Sequence, residues 1–445
     1  MRLSLLSARL RRLPPPAWVA ISFLVLIVTG TLLLQLPWAT PAGAPIGWID
    51  ALFTSTSAAC VTGLAVRDTG TGFTLFGQAV LLLLIQVGGL GVMTFGLFFA
   101  VAAGRFSLDQ RQLVEQTLAG DHTYAPRDLV RLVLVFTLGC EALGALWLWL
   151  ALRDDVPQAA WQAVFHSVAA FVNAGFSLLP DNLMRFRGDA AVNAGVMALI
   201  VLGGLGFLAV QDLLKQGLRW RRLALHTRLV VAASGVLILA GTAGFWMTER
   251  GGALAGLGPG EQLLASLFQS VTARTAGFNT VDFARLAPAT LLGIIVLMFI
   301  GGSPGSCAGG IKTTTAATLL VALRAQLTGR RYVNVFGRTL SRQTVAIAVA
   351  ATTAALVAAN AGLFALLLIQ PDGHARFADY AFEAMSALGT VGLSTGVTPA
   401  LEPASRLVVT ALMFLGRVGP LTLAAVVAGR RVDDWQHPGE AVMIG

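Results

Sequence analysis

The chain is 445 residues long, 56% hydrophobic and only 12% charged, with a mean hydropathy of +0.75, a composition that excludes a soluble globular protein and makes the bilayer its main solvent. Its net charge of +9 at pH 7 sits mostly in the loops between apolar stretches and needs no nucleic-acid partner to explain it. The three cysteines, Cys60, Cys140 and Cys307, have neither disulfide pairing nor metal-ligand spacing.

Apolar stretches long enough to cross the hydrocarbon core, roughly 20 residues each, are predicted at 17–36, 74–101, 129–152, 190–214, 228–248, 288–325, 343–369 and 403–428. Between the members of successive pairs lie shorter apolar segments at 50–62, 160–174, 261–276 and 378–391. These are too short to span and read as re-entrant helices, each followed by a loop. Non-helical backbone at membrane depth persists only where protein or a water-filled cavity surrounds it, so four such loops imply one shared central cavity. The expected fold is an all-α integral membrane protein with four transmembrane–pore-loop–transmembrane repeats around a central ion pore. It has eight spanning helices and four re-entrant pore helices.

The boundaries follow: a cytoplasmic N-terminal segment at 1–16, repeat 1 at 17–104, repeat 2 with its preceding loop at 105–215, repeat 3 at 216–330, repeat 4 at 331–430 and a tail at 431–445. Arginines precede the first apolar run, as in a signal peptide. That run is as long as a full span and follows Pro14, Pro15 and Pro16, so an uncleaved first transmembrane helix is expected. Of the 31 Lys and Arg residues, 21 fall at the termini and in the loops between repeats and nine on the re-entrant side. The positive-inside rule then makes both termini cytoplasmic.

Each re-entrant segment ends in a single glycine, Gly63, Gly175, Gly277 or Gly392, and a second glycine signal follows 24 to 28 residues later at Gly88, Gly203, Gly301 and Gly416. The period is roughly 110 residues, the mark of an internal repeat. The four loops read Cys60, Val61, Thr62 and Gly63; Val172, Asn173, Ala174 and Gly175; Arg274, Thr275, Ala276 and Gly277; and Gly389, Thr390, Val391 and Gly392. Stripping water from a cation requires several oxygens to converge on it, and main-chain carbonyls do this without a fixed charge. Glycine permits the φ/ψ values needed and leaves the path open. The alternative, small residues that only permit tight helix packing, fits one such glycine better than four in register. Asp68, Asp181 and Asp282 follow their glycines by five or six positions and are expected to shape an outer vestibule.

In repeat 3 the second crossing is interrupted by Gly301, Gly302, Ser303, Pro304, Gly305, Ser306, Cys307, Ala308, Gly309 and Gly310, then Ile311 and Lys312. So many glycines plus a proline cannot continue a regular helix. A movable gate at 301–313 is the expectation, with a fixed plug as the alternative. The matching glycines of repeats 1 and 2 read as much milder. Gly305 and Gly310 have P-loop spacing, but Ile311 stands where that motif needs lysine, which excludes a nucleotide site there. Arg417 lies mid-span in the last helix, where a cation is expensive and marks an ion path. Arg274 is expected to brace its loop from behind, against Glu383, and Glu141 to hydrogen-bond locally. No catalytic triad or zinc motif stands out, so an enzyme is not expected.

These motifs resemble the Trk/Ktr/HKT superfamily of potassium transporters, specifically its KtrB-type membrane subunits. The resemblance rests on Cys60 to Leu64, Asn173 to Phe176, Thr272 to Thr280, Gly301 to Thr315, Gly416 with Arg417, and the ending Met443 to Gly445. It implies a K+-translocating pore subunit, with or without Na+ dependence. K+ would lie at the carbonyls beside Gly63, Gly175, Gly277 and Gly392. Residues 301–313 with Arg417 would form the gate. A homodimer in the cell membrane and a cytoplasmic ring of nucleotide-binding KtrA/TrkA-like regulatory subunits are implied as partners. The basic loops at 215–228 and 324–342 are candidate docking surfaces, with anionic lipid headgroups as the alternative. A sodium-selective or non-selective conductor on the same architecture is the alternative function; glycine at 63, where sodium-selective relatives often carry serine, favours potassium. Arg67 near the first loop and Cys307 in the flap depart from the family pattern.

Overall fold

The structure is a computed structural model, and it describes residues 15–102, 126–217, 219–370 and 375–419. The terminal segments, with the ending at Met443 to Gly445, and the basic loop carrying Arg105 and Arg111 lie outside the described residues. Repeat 1 contributes α1 (Pro15–Leu34), α2 (Trp48–Ala59) and α3 (Leu75–Ala102). Repeat 2 contributes α4 (Pro126–Leu152), α5 (Ala159–Phe171), α6 (Ala190–Leu205) and α7 (Phe207–Gln216). Repeat 3 contributes α8 (Leu225–Glu249), α9 (Pro259–Thr272), α10 (Pro288–Phe299) and α11 (Thr313–Leu327). Repeat 4 contributes α12 (Arg342–Ile369), α13 (Phe377–Gly389) and α14 (Pro403–Val418). A small hairpin, Asn334–Val335 with Arg338–Thr339, turns through Phe336 and Gly337 between α11 and α12.

Among the described residues, four helices are long and apolar enough to cross a membrane unaided, within α1, α4, α8 and α12. These are the first helices of the four repeats, so the chain is a multi-pass membrane protein. Large apolar side chains such as Leu24, Leu143, Leu239 and Leu368 are exposed on them, as a lipid-facing surface requires. The second helices are less regular. α6 and α7 meet at 99°, α10 stops at Phe299 before the 301–312 flap, and α14 ends at Gly419, whose φ of +91° closes it.

The re-entrant helices α2, α5, α9 and α13 are shorter, at 12 to 14 residues, and lie inside the bundle. Their C-terminal halves are buried, including Thr54 to Ala59, Ser167, Ala169 to Phe171, Phe268 to Thr272 and Phe382 to Glu383. The larger clusters of buried apolar residues are one shared by repeats 1 to 3, one between repeats 4 and 1 and one between repeats 3 and 4. At the ends of the re-entrant helices away from the loops, ion pairs join neighbours: Arg187 with Glu261 at 2.9 Å between repeats 2 and 3, and Arg406 with Asp50 between repeats 4 and 1.

Candidate functional site

Each re-entrant helix ends by the same backbone device. Two residues before each loop glycine the chain enters the left-handed region, at Val61 (φ +57°), Asn173 (+61°), Thr275 (+71°) and Thr390 (+48°). For β-branched Val and Thr this conformation is costly, and strain of this kind persists only where the surroundings impose it. Here hydrogen bonds impose it. The N–H of Thr62 donates to Ser57 O at 2.8 Å, that of Ala174 to Ala169 O at 2.7 Å, that of Ala276 to Thr272 O at 2.9 Å and that of Val391 to Ser386 O at 2.8 Å. With the N–H groups drawn back onto the helices, the carbonyls are free to point elsewhere. The glycines follow with φ of +98°, +69°, +81° and +93°.

The four glycines close a ring. A Cβ added to Gly63 would lie 2.5 Å from Ala174 O, one on Gly175 2.8 Å from Gly277 Cα, one on Gly277 2.4 Å from Val391 O, and one on Gly392 2.1 Å from Thr62 O. Repeat 1 therefore touches repeat 2, repeat 2 touches repeat 3, repeat 3 touches repeat 4, and repeat 4 returns to repeat 1. No side chain fits in this ring, and the carbonyls of Thr62, Ala174, Ala276 and Val391 stand in it. The C-terminal ends of four helices, with their negative dipole ends, converge on the same place.

The later glycines hold the ring from outside. A Cβ on Gly88 would lie 1.9 Å from Ala59 O, on Gly203 1.7 Å from Phe171 O, and on Gly416 1.9 Å from Leu388 O. In each case the second helix presses on the carbonyl four residues before its own loop glycine. A serine strap ties the first helix to the re-entrant helix in three repeats: Ser55 Oγ donates to Ile27 O at 2.7 Å, Ser167 Oγ to Glu141 O at 2.7 Å and Ser270 Oγ to Ile238 O at 2.8 Å. The backbone leaving three of the four loops is braced as well, by His166 to Ser177 (2.8 Å), Gln269 to Thr280 (2.8 Å) and Glu383 to Ser394 (2.9 Å). The strap and the brace recur at near-constant offsets from the glycine, a signal present in the sequence but carried by ordinary-looking polar residues.

Beneath the ring lies the flap. A Cβ on Gly309 would lie 1.9 Å from Thr390 Oγ1, and one on Gly301 3.0 Å from Thr275 Cγ2, so the flap abuts the inner end of the ring. Gly301 and Ile311 stitch its two ends together through the Gly301 N–H to Ile311 O bond at 2.9 Å. Its middle is fastened to the bend of repeat 2: Ser303 N–H donates to Gly204 O at 3.0 Å, Cys307 N–H to Gly203 O at 3.2 Å, and Phe207 N–H to Gly305 O at 3.1 Å. Lys312 Nζ donates to Ala308 O at 2.7 Å. Arg417 is buried and donates to Cys307 O at 2.5 Å and to Gly88 O at 2.7 Å, joining flap, repeat 1 and repeat 4.

Two expectations need correction. The repeat 2 counterpart of the flap is not mild: Gly206 (φ +85°) breaks the helix there, and a Cβ on it would meet Pro304 O at 2.5 Å. Arg274 does not brace against Glu383. Its guanidinium donates to Ser234 Oγ at 3.0 Å on α8, while Glu383 accepts from Ser394 and Thr398. Asp68 and Asp282 cap short helical turns, on Thr71 N–H and Ala284 N–H, and Asp181 pairs with Arg185 at 2.8 Å. Their carboxylates are thus committed to local structure as much as to a vestibule. Arg67 clamps the Ala44 and Pro45 carbonyls, and Glu141 accepts from Gln86 on α3 at 3.1 Å.

A sequence profile of the TrkH family, described as a cation transport protein, matches residues 17–430. The chain is 39% identical to Ktr system potassium uptake protein B of Bacillus subtilis over 98% of this chain and 97% of that protein. It is 38% identical to the protein of the same name in Vibrio alginolyticus, over 97% and 95%, and 35% identical to potassium/sodium uptake protein NtpJ of Enterococcus hirae, over 98% of each. The crystal structure of the potassium transporter TrkH from Vibrio parahaemolyticus superposes with a TM-score of 0.69 at 19% identity, covering 92% of this chain and 85% of that one. Four strained, glycine-ended turns packed end to end within a multi-pass membrane chain are thus found in a protein that belongs to the TrkH family of cation transporters.

Proposed function

We propose that this chain is the potassium-translocating pore subunit of a Ktr-type uptake system, with the ring at Gly63, Gly175, Gly277 and Gly392 as its selectivity filter. The observation that carries the reading is the cyclic contact of those four glycines, with carbonyls and not side chains where the four loops meet. An alkali cation passing there would exchange hydration oxygens for the carbonyls of residues 60–63, 172–175, 274–277 and 389–392. Full-length relatives named for potassium uptake, and one named for potassium and sodium, support K+ as cargo and leave Na+ as the ion to test against it.

The reading has eight crossings: α1, α3, α4, α6 with α7, α8, α10 with α11, α12 and α14. The flap at 301–312 is the gate. Its position under the ring and its bonds to Gly203, Gly204 and Arg417 support that role, because moving it changes bonds at the two helix breaks and not in the ring. Both termini are cytoplasmic on the charge count. Setting aside Arg274, which is buried, and Lys312, whose ammonium is bonded within the flap, leaves 20 basic residues on the inner side and eight on the outer. The basic loops around 215–228 and 324–342 meet at a Trp220–Phe336 ring contact of 5.7 Å, making one surface on which a cytoplasmic regulatory ring would dock. A homodimer completes the proposal.

The test is cation flux into liposomes holding the purified chain, driven in turn by K+, Rb+ and Na+ gradients. K+ and Rb+ flux well above Na+ flux is expected. Equal or greater Na+ flux would replace the potassium reading with the sodium-conducting one, and no flux of any of the three would remove the pore.

A further inference from the structure

The ring is closed by four loops, but the last peptide of each is not held alike. In repeat 1 the N–H of Gly63 donates to Ser57 Oγ at 3.1 Å, and in repeat 4 the N–H of Gly392 donates to Ser386 Oγ at 3.1 Å. Both serines stand six residues before their glycine and are fully buried. Ala169 and Val271 occupy that position in repeats 2 and 3, and among the described residues no hydrogen bond reaches the N–H of Gly175 or Gly277. In a trans peptide the N–H and C=O point in opposite directions. A hydroxyl that draws the Gly63 or Gly392 N–H toward its helix therefore turns the Thr62 or Val391 carbonyl away from that helix and into the ring, where Gly392 and Gly277 meet those oxygens.

We infer that Ser57 and Ser386 are positioning residues for ion preference. Their hydroxyls lock two carbonyls inward, and the Ala174–Gly175 and Ala276–Gly277 peptides are held only by packing. The locked quarters belong to repeats 4 and 1, which are ring neighbours, as are the two unlocked quarters. One half of the ring is thus a fixed set of oxygens and the other half adapts to the ion. A fixed half disfavours the smaller Na+, because the rigid carbonyls cannot close onto it. The inference rests on the filter reading and goes beyond it: that reading treats the four loops as equivalent, and this one divides them into two kinds.

The experiment compares wild type, Ser57→Ala, Ser386→Ala, the double alanine variant and the double threonine variant, reconstituted in equal amounts. It reads flux under K+ and Na+ gradients, the KM for K+, and the thermal melting point in detergent. The double alanine variant is expected to lose roughly tenfold in the K+ to Na+ flux ratio and to raise the KM for K+, with a smaller change in maximal rate; each single variant loses less. The threonine variant, which keeps both hydroxyls, retains the ratio. A double alanine variant with the wild-type ratio and KM overturns the inference, and so does a lowered melting point with both unchanged, since that is the signature of helix stability alone. Where the double variant fails to insert, the single variants decide by the same criteria. Gly392→Ala separates the two levels of argument. If it abolishes flux while the serine variants leave the ratio untouched, the filter reading stands and this inference fails; if it leaves flux intact, both fail.

Discussion

The half of this molecule that holds the re-entrant helices repeats one backbone turn four times, and the half beneath the ring is built four ways. Above, every repeat has a short re-entrant helix, a left-handed residue, a glycine and a carbonyl aimed at its neighbour. Below, α3 runs on without a break, α6 and α7 turn through 99°, α10 gives way to the flap, and α14 carries Arg417. A ring that surrounds one ion, as proposed, gains from equivalent backbone turns. A single obstruction beneath it cannot be fourfold, since four flaps would collide on the axis. On the proposed reading the symmetry is confined to the part that would choose the ion, and departures from it collect in the part that would admit it.

The comparison breaks most completely if the ring loses its equivalence. Gly392→Ala places a methyl 2.1 Å from Thr62 O, at a φ of +93° that alanine resists. Transport is expected to fall at least about 100-fold by isotope uptake. Gly293→Ala in α10 is the control: its added methyl meets nothing within 4 Å, and uptake should be unchanged. Similar uptake in the two variants would show that the glycines of the ring are no more special than a glycine facing open space.

Below the ring the expected effect is smaller and opposite in sign. Arg417 holds the flap through Cys307 O and repeat 1 through Gly88 O. A hydrogen bond from a charged group is worth about 1.5–3 kcal/mol, so Arg417→Ala, by freeing the flap, should raise the K+ flux roughly tenfold in liposomes. The K+ to Na+ ratio should stay as in wild type, because no ring atom bonds to Arg417. A lower flux would make the arginine a strut of the pore and not a latch on the gate.

This same division explains what could be read from the sequence. The loop glycines, the broken stretch at 301–310 and Arg417 are visible because each violates the local rule for an apolar span: a helix breaker or a charge where neither belongs. The left-handed turns at Val61, Asn173, Thr275 and Thr390 are invisible because propensity argues against them; the conformation is set by bonds from Thr62, Ala174, Ala276 and Val391 to carbonyls on the re-entrant helices. The bend at Gly206 was hidden by its apolar setting. What makes it sharp is the flap wedged against it, a contact from a segment about 100 residues away. For Arg274 the sequence points to the wrong partner: an acid is the natural choice for a buried guanidinium, and the fold supplies a serine hydroxyl from α8.

That bend offers a finer test. Gly206→Ala sets a methyl 2.5 Å from Pro304 O at a φ of +85°, which costs about 1–2 kcal/mol in backbone conformation alone. The flap should lose its hold on Gly203 and Gly204, and flux should rise a few-fold with ion preference unchanged. A shift in the K+ to Na+ ratio would mean that the inner half also shapes the ring, and the separation drawn above would not hold.

The smallest effect concerns how the ring is kept in place. Ser167 Oγ donates to Glu141 O, as Ser55 and Ser270 do at the corresponding places, and Gly30, Gly144 and Gly241 bring the first helices close enough for these bonds: a Cβ on each would lie 2.3 to 2.6 Å from the serine oxygen. Ser167→Ala removes one neutral bond, worth about 1 kcal/mol, and leaves a carbonyl that α4 already uses for its own helix. The melting point should fall slightly, with KM, rate and ion ratio unmoved. Repeat 4 shows why the loss is tolerable: Ala384 stands at the strap position, and Gly362 of α12 receives Leu412 of α14 in place of a hydroxyl. Repeat 4 thus keeps its loop in the ring without a strap, by its other bonds at Ser386 and Glu383, so a strap fixes the depth of a re-entrant helix without setting where its carbonyls point. If Ser167→Ala changed the ion ratio as much as the ring variants, depth and direction would be one variable, and the scaffold could not be separated from the filter it carries.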